Sequence, residues 1–281
     1  MRGRACLAVV TSIILVGSAG LCLENRCEDV QINAVVNFVR EQSRFDGSLY
    51  ATRLPGLSDD LVYLLKKQIS HAASAELPPV DFYGVVPAAY EVKNDKVVSE
   101  TVEVDTSHEW LVAVERQNGR TLLLQGSSDP NSAFNSLAGD LDLKIPDSET
   151  ALDVFDFYLK VALGQEFRTR VIGDDLKLES VALEDFRMRF PAQRRRAAFE
   201  QWWKKVPAEI KRKIGPPTTR PTTAAYEVRY FLYTQGNVSV HSLAMSRNAA
   251  VAEGQSKPLV GDQGTASLVP TSKPNGAEQP H

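Results

Sequence analysis

Apolar residues change their spacing once along this chain, and that change restricts the fold more than any other feature. Ile32, Val35, Val36 and Val39 recur at i, i+3, i+4 and i+7, which places one apolar stripe on a helix from about Glu28 to Arg44. Asp46-Gly47 ends it. Ser58 reads as the N-cap of a second helix running to about residue 73, with Asp59 and Asp60 in its first turn and Leu61, Leu64, Leu65 and Ile69 on one face. Beyond Leu77-Pro78-Pro79 the period moves from 3.6 towards two, and Tyr90–Val92, Val97–Val104, Trp110–Arg116 and Arg120–Gln125 read as strands. Asn118-Gly119 is the strongest hairpin signal, and a two-residue loop there sets Val114 opposite Leu123. Asn94-Asp95 is a weaker turn of the same kind.

The second half returns to helices and closes on strands. Asp129-Pro130-Asn131 precedes a short helix around Ala133–Ala138. A clearer helix starts at Asp147 or Ser148 and stops at Gly164; Leu152, Phe155, Leu159 and Ala162 form one face, and Val154, Phe157, Tyr158 and Val161 widen it until the helix is buried on more than one side. Between Phe167 and Phe190 the pattern is mixed, and Leu176–Leu183 and Phe186–Phe190 read as short strands. Gln193–Val206 is a helix carrying Phe199, Trp202, Trp203 and Val206, broken by Pro207 and resumed to Ile214. Gly215–Thr223, with three prolines, reads as a stiff extended connector, and Tyr226–Tyr233 with Val238–Met245 forms a final hairpin. From Ser246 to His281 no aromatic residue occurs and periodicity vanishes, so this tail is expected to be disordered.

The expected fold class is therefore α+β: an antiparallel sheet of two or three hairpins packed against about four helices. One domain covers 24–245, with a possible subdivision near residue 164, and 246–281 forms the disordered tail. The 43% hydrophobic content suffices for a sizeable core.

The first 20 residues read as a signal peptide. Arg2 and Arg4 precede an uncharged run from Ala5 to Leu23, and Gly17-Ser18-Ala19-Gly20 supplies the small residues that a signal peptidase needs. The competing reading is an uncleaved N-terminal membrane anchor. Export implies a periplasmic or secreted protein. It would leave Cys22 and Cys27 as the mature chain's cysteines, a pair that an oxidising compartment can join in a disulfide, or two thiols near a mobile terminus. Leu21 before Cys22 argues against lipidation. No second Cys/His pair stands near to complete a metal site, so neither metal nor cofactor is expected.

Losing Arg2 and Arg4 takes the basic count from 32 to 30 against 35 acids, which disfavours nucleic acid as a partner for the whole chain. One segment departs from that balance. Arg187–Lys213 holds ten bases against Glu200 and Glu209, interleaved with Phe199, Trp202 and Trp203. Arg194, Arg195, Arg196, Trp202, Trp203, Lys204 and Lys205 are the candidate binding residues, a basic amphipathic helix of the kind that lies on anionic surfaces. The plainer reading is an aromatic stripe packed on the sheet with its charges facing water.

Catalytic signatures are weak. Asp105-Thr106-Ser107 has only the outline of an aspartic-protease triplet and reads as a polar turn. His108-Glu109 lacks a second histidine, since Val112 stands where a zinc-protease helix would place it. His71 and His241 read as a helix-end cation and a sheet-surface residue. No nucleophile elbow, phosphate loop or dinucleotide fingerprint occurs. The expected function is a non-enzymatic envelope-associated binding or structural protein, whose partner is an anionic envelope surface or another envelope protein. The alternative is a secreted hydrolase of unrecognised type with a carboxylate-based site, since two distant acids can form one.

Overall fold

The computed structural model describes residues 20–68, 79–87, 89–93, 96–101, 110–252 and 254–260. In chain order the first half holds α1 (Gly20–Ser43), β1 (Leu49–Arg53), α2 (Pro55–Gln68), β2 (Val80–Pro87), β3 (Ala89–Lys93), β4 (Lys96–Thr101), β5 (Trp110–Glu115), β6 (Thr121–Gln125), α3 (Pro130–Asp140) and α4 (Ser148–Tyr158). A π turn, Leu159–Leu163, leads into α5 (Gly164–Arg170), β7 (Val171–Ile172), α6 (Asp175–Arg189), α7 (Ala192–Lys205), α8 (Ala208–Lys213), β8 (Thr218–Pro221), β9 (Ala225–Thr234), β10 (Asn237–Ser246), β11 (Val251–Ala252) and β12 (Ser256–Val260). The class is α+β, with antiparallel strand pairing throughout.

Two larger sheets, rather than one, carry the fold. The first has order β1-β2-β5-β6; the second is built on β9 and β10, with β7 and β8 on the free edge of β9 and β11 and β12 on that of β10. β3 and β4 form a separate ribbon. Because side chains alternate across a strand, each sheet has two faces to cover. Val35 and Val39 of α1 pack with Tyr83, Val85, Trp110 and Val112 on the outer face of the first sheet. Phe82, Leu111, Ala113 and Leu124 point the other way, into a core shared with α2, α3, α4, the π turn and Val228, Tyr230 and Leu232 of the second sheet. Phe231, Tyr233 and Val238 take that sheet's far face and meet α6, α7 and α8. The result is five layers, helix and sheet in alternation.

α4 is the central beam. Asp147 caps it, its side chain accepting from the Thr150 N–H at 2.8 Å. Residues two positions apart on a helix point some 200° apart, so Phe157 meets Phe82 of the first sheet edge-on at 6.0 Å while Phe155 meets Tyr230 of the second at 5.0 Å. The π turn that follows leaves a backbone carbonyl for outside partners. Gln125, buried at the end of β6, donates its Nε2 to the Lys160 carbonyl at 2.7 Å. Gly164 ends the turn at φ +87°, and a Cβ there would stand 3.2 Å from Gln125 Oε1.

Several elements depart from the sequence expectations. β1 and β2 were not anticipated, because β2 is buried on both faces and so shows no polar alternation. α2 opens at Pro55, whose missing N–H a first helical turn does not need. Ser58 is therefore inside the helix, buried, and its hydroxyl donates to the Val80 carbonyl at 3.0 Å. The hairpin at Asn118-Gly119 is two residues out of the expected register: Val114 faces Thr121, and Leu123 faces Val112. Its loop spans Arg116–Gly119, since Glu115 N–H already bonds the Arg120 carbonyl, and Arg116 is drawn to β2 through its N–H to the Pro79 carbonyl.

Leu176–Phe190 is not strand but the helix α6. Asp174 caps it and Leu178, Ala182 and Phe186 are buried at helical spacing; exposed Leu176 beside buried Leu178, and exposed Leu183 beside Val181, are the pairs two apart that read as a strand's alternation. Within the expected connector, Thr218–Pro221 pairs with β9. The ordered fold also passes Ser246, because β11 and β12 both pair with β10. Residues 261–281, the Asn94-Asp95 turn, His71, Asp105-Thr106-Ser107 and His108-Glu109 lie outside the described residues. So do the signal segment before Gly20 and the side chains of Cys22 and Cys27, which fall on α1.

Candidate functional site

The outer helical layer on the second sheet holds every residue of the basic aromatic segment. Its apolar half faces inward. Phe199 stacks on Trp203 at 5.8 Å, Phe186 on Phe190 at 5.3 Å, and Trp202 meets Tyr233 of β9 edge-on at 5.6 Å. Trp202 Nε1–H donates to the Gly236 carbonyl at 2.7 Å, at the two-residue turn where Gln235 and Gly236 both have positive φ and join β9 to β10. Lys211 lies 3.8 Å from the centre of the Trp203 ring and donates to the Trp203 carbonyl at 3.1 Å. Beneath them Tyr233 donates to Asp185 at 2.5 Å, and Asp185 also pairs with Arg189. Burial, reinforced by Asp185, pushes the Tyr233 phenol well above its ordinary range.

The two tryptophans are thus packing residues of a small core. The five cationic candidates part into two groups. Arg195 donates its Nε to the Phe190 carbonyl at 2.9 Å, and Arg196 pairs with Glu200 at 2.9 Å one turn along. Arg194, Lys204 and Lys205 are exposed and have no ion pair among the described residues, and Lys213 of α8 shares that condition. Sequence reasoning missed that the neighbouring α6 exposes Leu176, Leu183 and Met188. Their signal was present as apolar residues lying off the buried stripe of that helix.

Two other polar groupings bear on the hydrolase alternative. Between α2, α4 and α5 runs a chain of charges: Lys160 bonds Asp60 at 2.7 Å and Asp156 at 3.1 Å, and Arg168 Nε bonds Asp156 at 2.7 Å. Burial acts to raise the Asp156 carboxyl, but the Arg168 and Lys160 hydrogen bonds outweigh it and hold it below the usual aspartate range. Burial likewise acts to lower Lys160, and Asp60 and Asp156 overcome it, leaving the ammonium above its usual range. Both groups are locked in their charged forms, away from the near-neutral pKa that proton transfer wants.

His241 is not a sheet-surface residue. It stacks on Tyr230 at 5.3 Å on the inner face, with Nε2 2.7 Å from Ser239 Oγ, and burial lowers its pKa. A carboxylate orienting that imidazole is absent among the described residues' hydrogen bonds and ion pairs, as is any group of three or more His, Cys, Asp or Glu placed to hold a metal. Among the described residues no helix is long and apolar enough to cross a membrane. Comparison with protein-family models, with curated proteins and with solved structures found no match.

Proposed function

We propose that this is an exported, non-enzymatic protein that binds an anionic envelope surface through the α6–α8 layer. One observation carries the reading: the aromatic residues of the basic segment are used in packing, so Arg194, Lys204 and Lys205, without an ion pair among the described residues, are displayed on an ordered surface, and the adjoining helix α6 exposes Leu176, Leu183 and Met188. Exposed cations and exposed apolar side chains on one helical layer match the two contributions that bind proteins to acidic bilayers, charge attraction and shallow apolar burial. An export signal in residues 1–20 belongs to the same reading, since it would carry the chain to the envelope.

Sedimentation with vesicles containing phosphatidylglycerol, at low and at physiological salt, tests it. Binding is expected to weaken as salt rises, because exposed charges are screened beyond about 8 Å at physiological ionic strength. The triple substitution Arg194→Glu, Lys204→Glu, Lys205→Glu should abolish it without changing the melting temperature. Salt-insensitive binding, or full binding by the triple variant, refutes the membrane reading.

A further inference from the structure

A second feature of the molecule is a cavity of about 630 Å³ at the edge of the second sheet, between α4, β7, the start of α6 and the chain entering β8. It exists because that edge is covered in two pieces: β8 pairs with residues 226–229 of β9, β7 with residues 231 and 232, and the chain entering β8 passes through Pro216 and Pro217, which have no N–H to close the gap. Leu152, Phe155 and Leu159 of α4 and the π turn line it from one side, Val171 and the two prolines from the others. A volume in this range, largely apolar with a few polar groups, is the ordinary form of a small-molecule site.

The polar groups decide the ligand's charge. Asp156 lines the cavity, but Oδ1 accepts from Arg168 Nε at 2.7 Å, and Oδ2 from Lys160 at 3.1 Å and Arg168 Nη2 at 3.4 Å. Asp174, exposed at the rim, gives Oδ1 to the Lys177 N–H at 2.6 Å as the cap of α6, and its charge is a rim anion that the cations beside it must outweigh. Two cationic donors remain: Arg168 Nη1 and the exposed Lys177 ammonium, neither with a hydrogen bond or ion pair among the described residues. From an apolar interior with cationic donors left over at its edge, we infer that this cavity binds a free medium-chain carboxylate, its hydrocarbon against Leu152, Phe155 and Leu159 and its carboxylate between Arg168 and Lys177. Lys177 stands at the start of α6, but Arg194, Lys204 and Lys205, the cations of the proposed surface, do not line the cavity, so the two sites can be tested apart.

Titration calorimetry of the purified protein with decanoate and decyltrimethylammonium, below their micelle-forming concentrations, and with decanol, below its solubility limit, tests it. Decanoate should bind at one site per chain, decanol about tenfold more weakly for want of the charge-assisted bonds, and the cation more weakly still. Gly173 lines the cavity, and a Cβ added there meets nothing within 4 Å, so Gly173→Phe adds a ring at the cavity wall without a clash at its Cβ. That variant should lose decanoate binding and keep its melting temperature. Lys177→Glu, on the exposed side of α6, should weaken decanoate about tenfold and leave decanol unchanged, which keeps the test decisive even if the plugged variant fails to fold. Arg194→Glu, Lys204→Glu, Lys205→Glu should leave decanoate binding intact. Absence of decanoate binding, equal affinity for decanol, or binding that survives Gly173→Phe in a folded variant overturns the assignment.

Discussion

Asp81→Asn should lower stability by about 2–3 kcal/mol, a magnitude that follows from what surrounds the carboxylate. The Asp81 side chain is 6% exposed, on the outer face of the first sheet, and receives Arg53 Nη2 at 2.5 Å and Arg116 Nε and Nη2 at 2.8 Å each. One carboxylate thereby ties β1, β2 and the start of the β5–β6 turn. Asparagine keeps the shape and removes the charge, leaving two guanidiniums facing an amide. Breaking a buried pair by neutralising one partner costs about 3–5 kcal/mol. Here the arginines are 37% and 27% exposed, so they can recover water, which brings the expectation down to about 2–3 kcal/mol. For a chain of this size that is about 4–12 °C in melting temperature. Circular-dichroism melting and urea titration would measure it. Arg116→Met should cost less, because Asp81 keeps Arg53, and the double variant should show coupling of about 1 kcal/mol or more. A fall below about 2 °C for Asp81→Asn, or strict additivity with Arg116→Met, would mean the cluster is spectator to stability and the reasoning is wrong.

Two further outcomes follow from the packing. Trp202→Phe keeps most of the ring contact with Tyr233 and loses the bond to the Gly236 carbonyl, so urea unfolding should report a loss of about 1 kcal/mol while vesicle binding stays unchanged; a selective loss of binding would return Trp202 to the surface role. His241 has its pKa lowered by burial from the ordinary 6.5. The unfolded chain therefore binds the proton more readily, and the neutral imidazole contributes stability that is present above about pH 6.5 and lost as pH falls through the folded pKa. Melting profiles between pH 7.5 and 5 should flatten in His241→Phe, and identical slopes in both proteins would contradict this.

What could be read without a structure was whatever is decided within one element. The stripe Ile32 to Val39, the cap at Asp147 and the two-sided burial of Leu152–Ala162 depend on residues a few positions apart, and each stands in the fold as read. The aromatic residues Phe199, Trp202 and Trp203 were equally visible, but whether they faced a partner or a sheet depended on Tyr233 and Gly236, which lie more than 30 positions away. Long-range packing also decided the register at Asn118-Gly119, where Arg116 is held to β2 through Asp81 and Pro79 against the local preference for a two-residue loop. α6 was misread because a short apolar run fits either period until one knows which residues are buried. The division into two sheets with α4 between them, the committed oxygens of Asp156 and the gap between β7 and β8 exist only once distant strands have chosen their neighbours. Hydrophobic period sets each element's faces locally, but burial is a property of the assembled layers, so tertiary structure alone determined which charges and hollows were left for function.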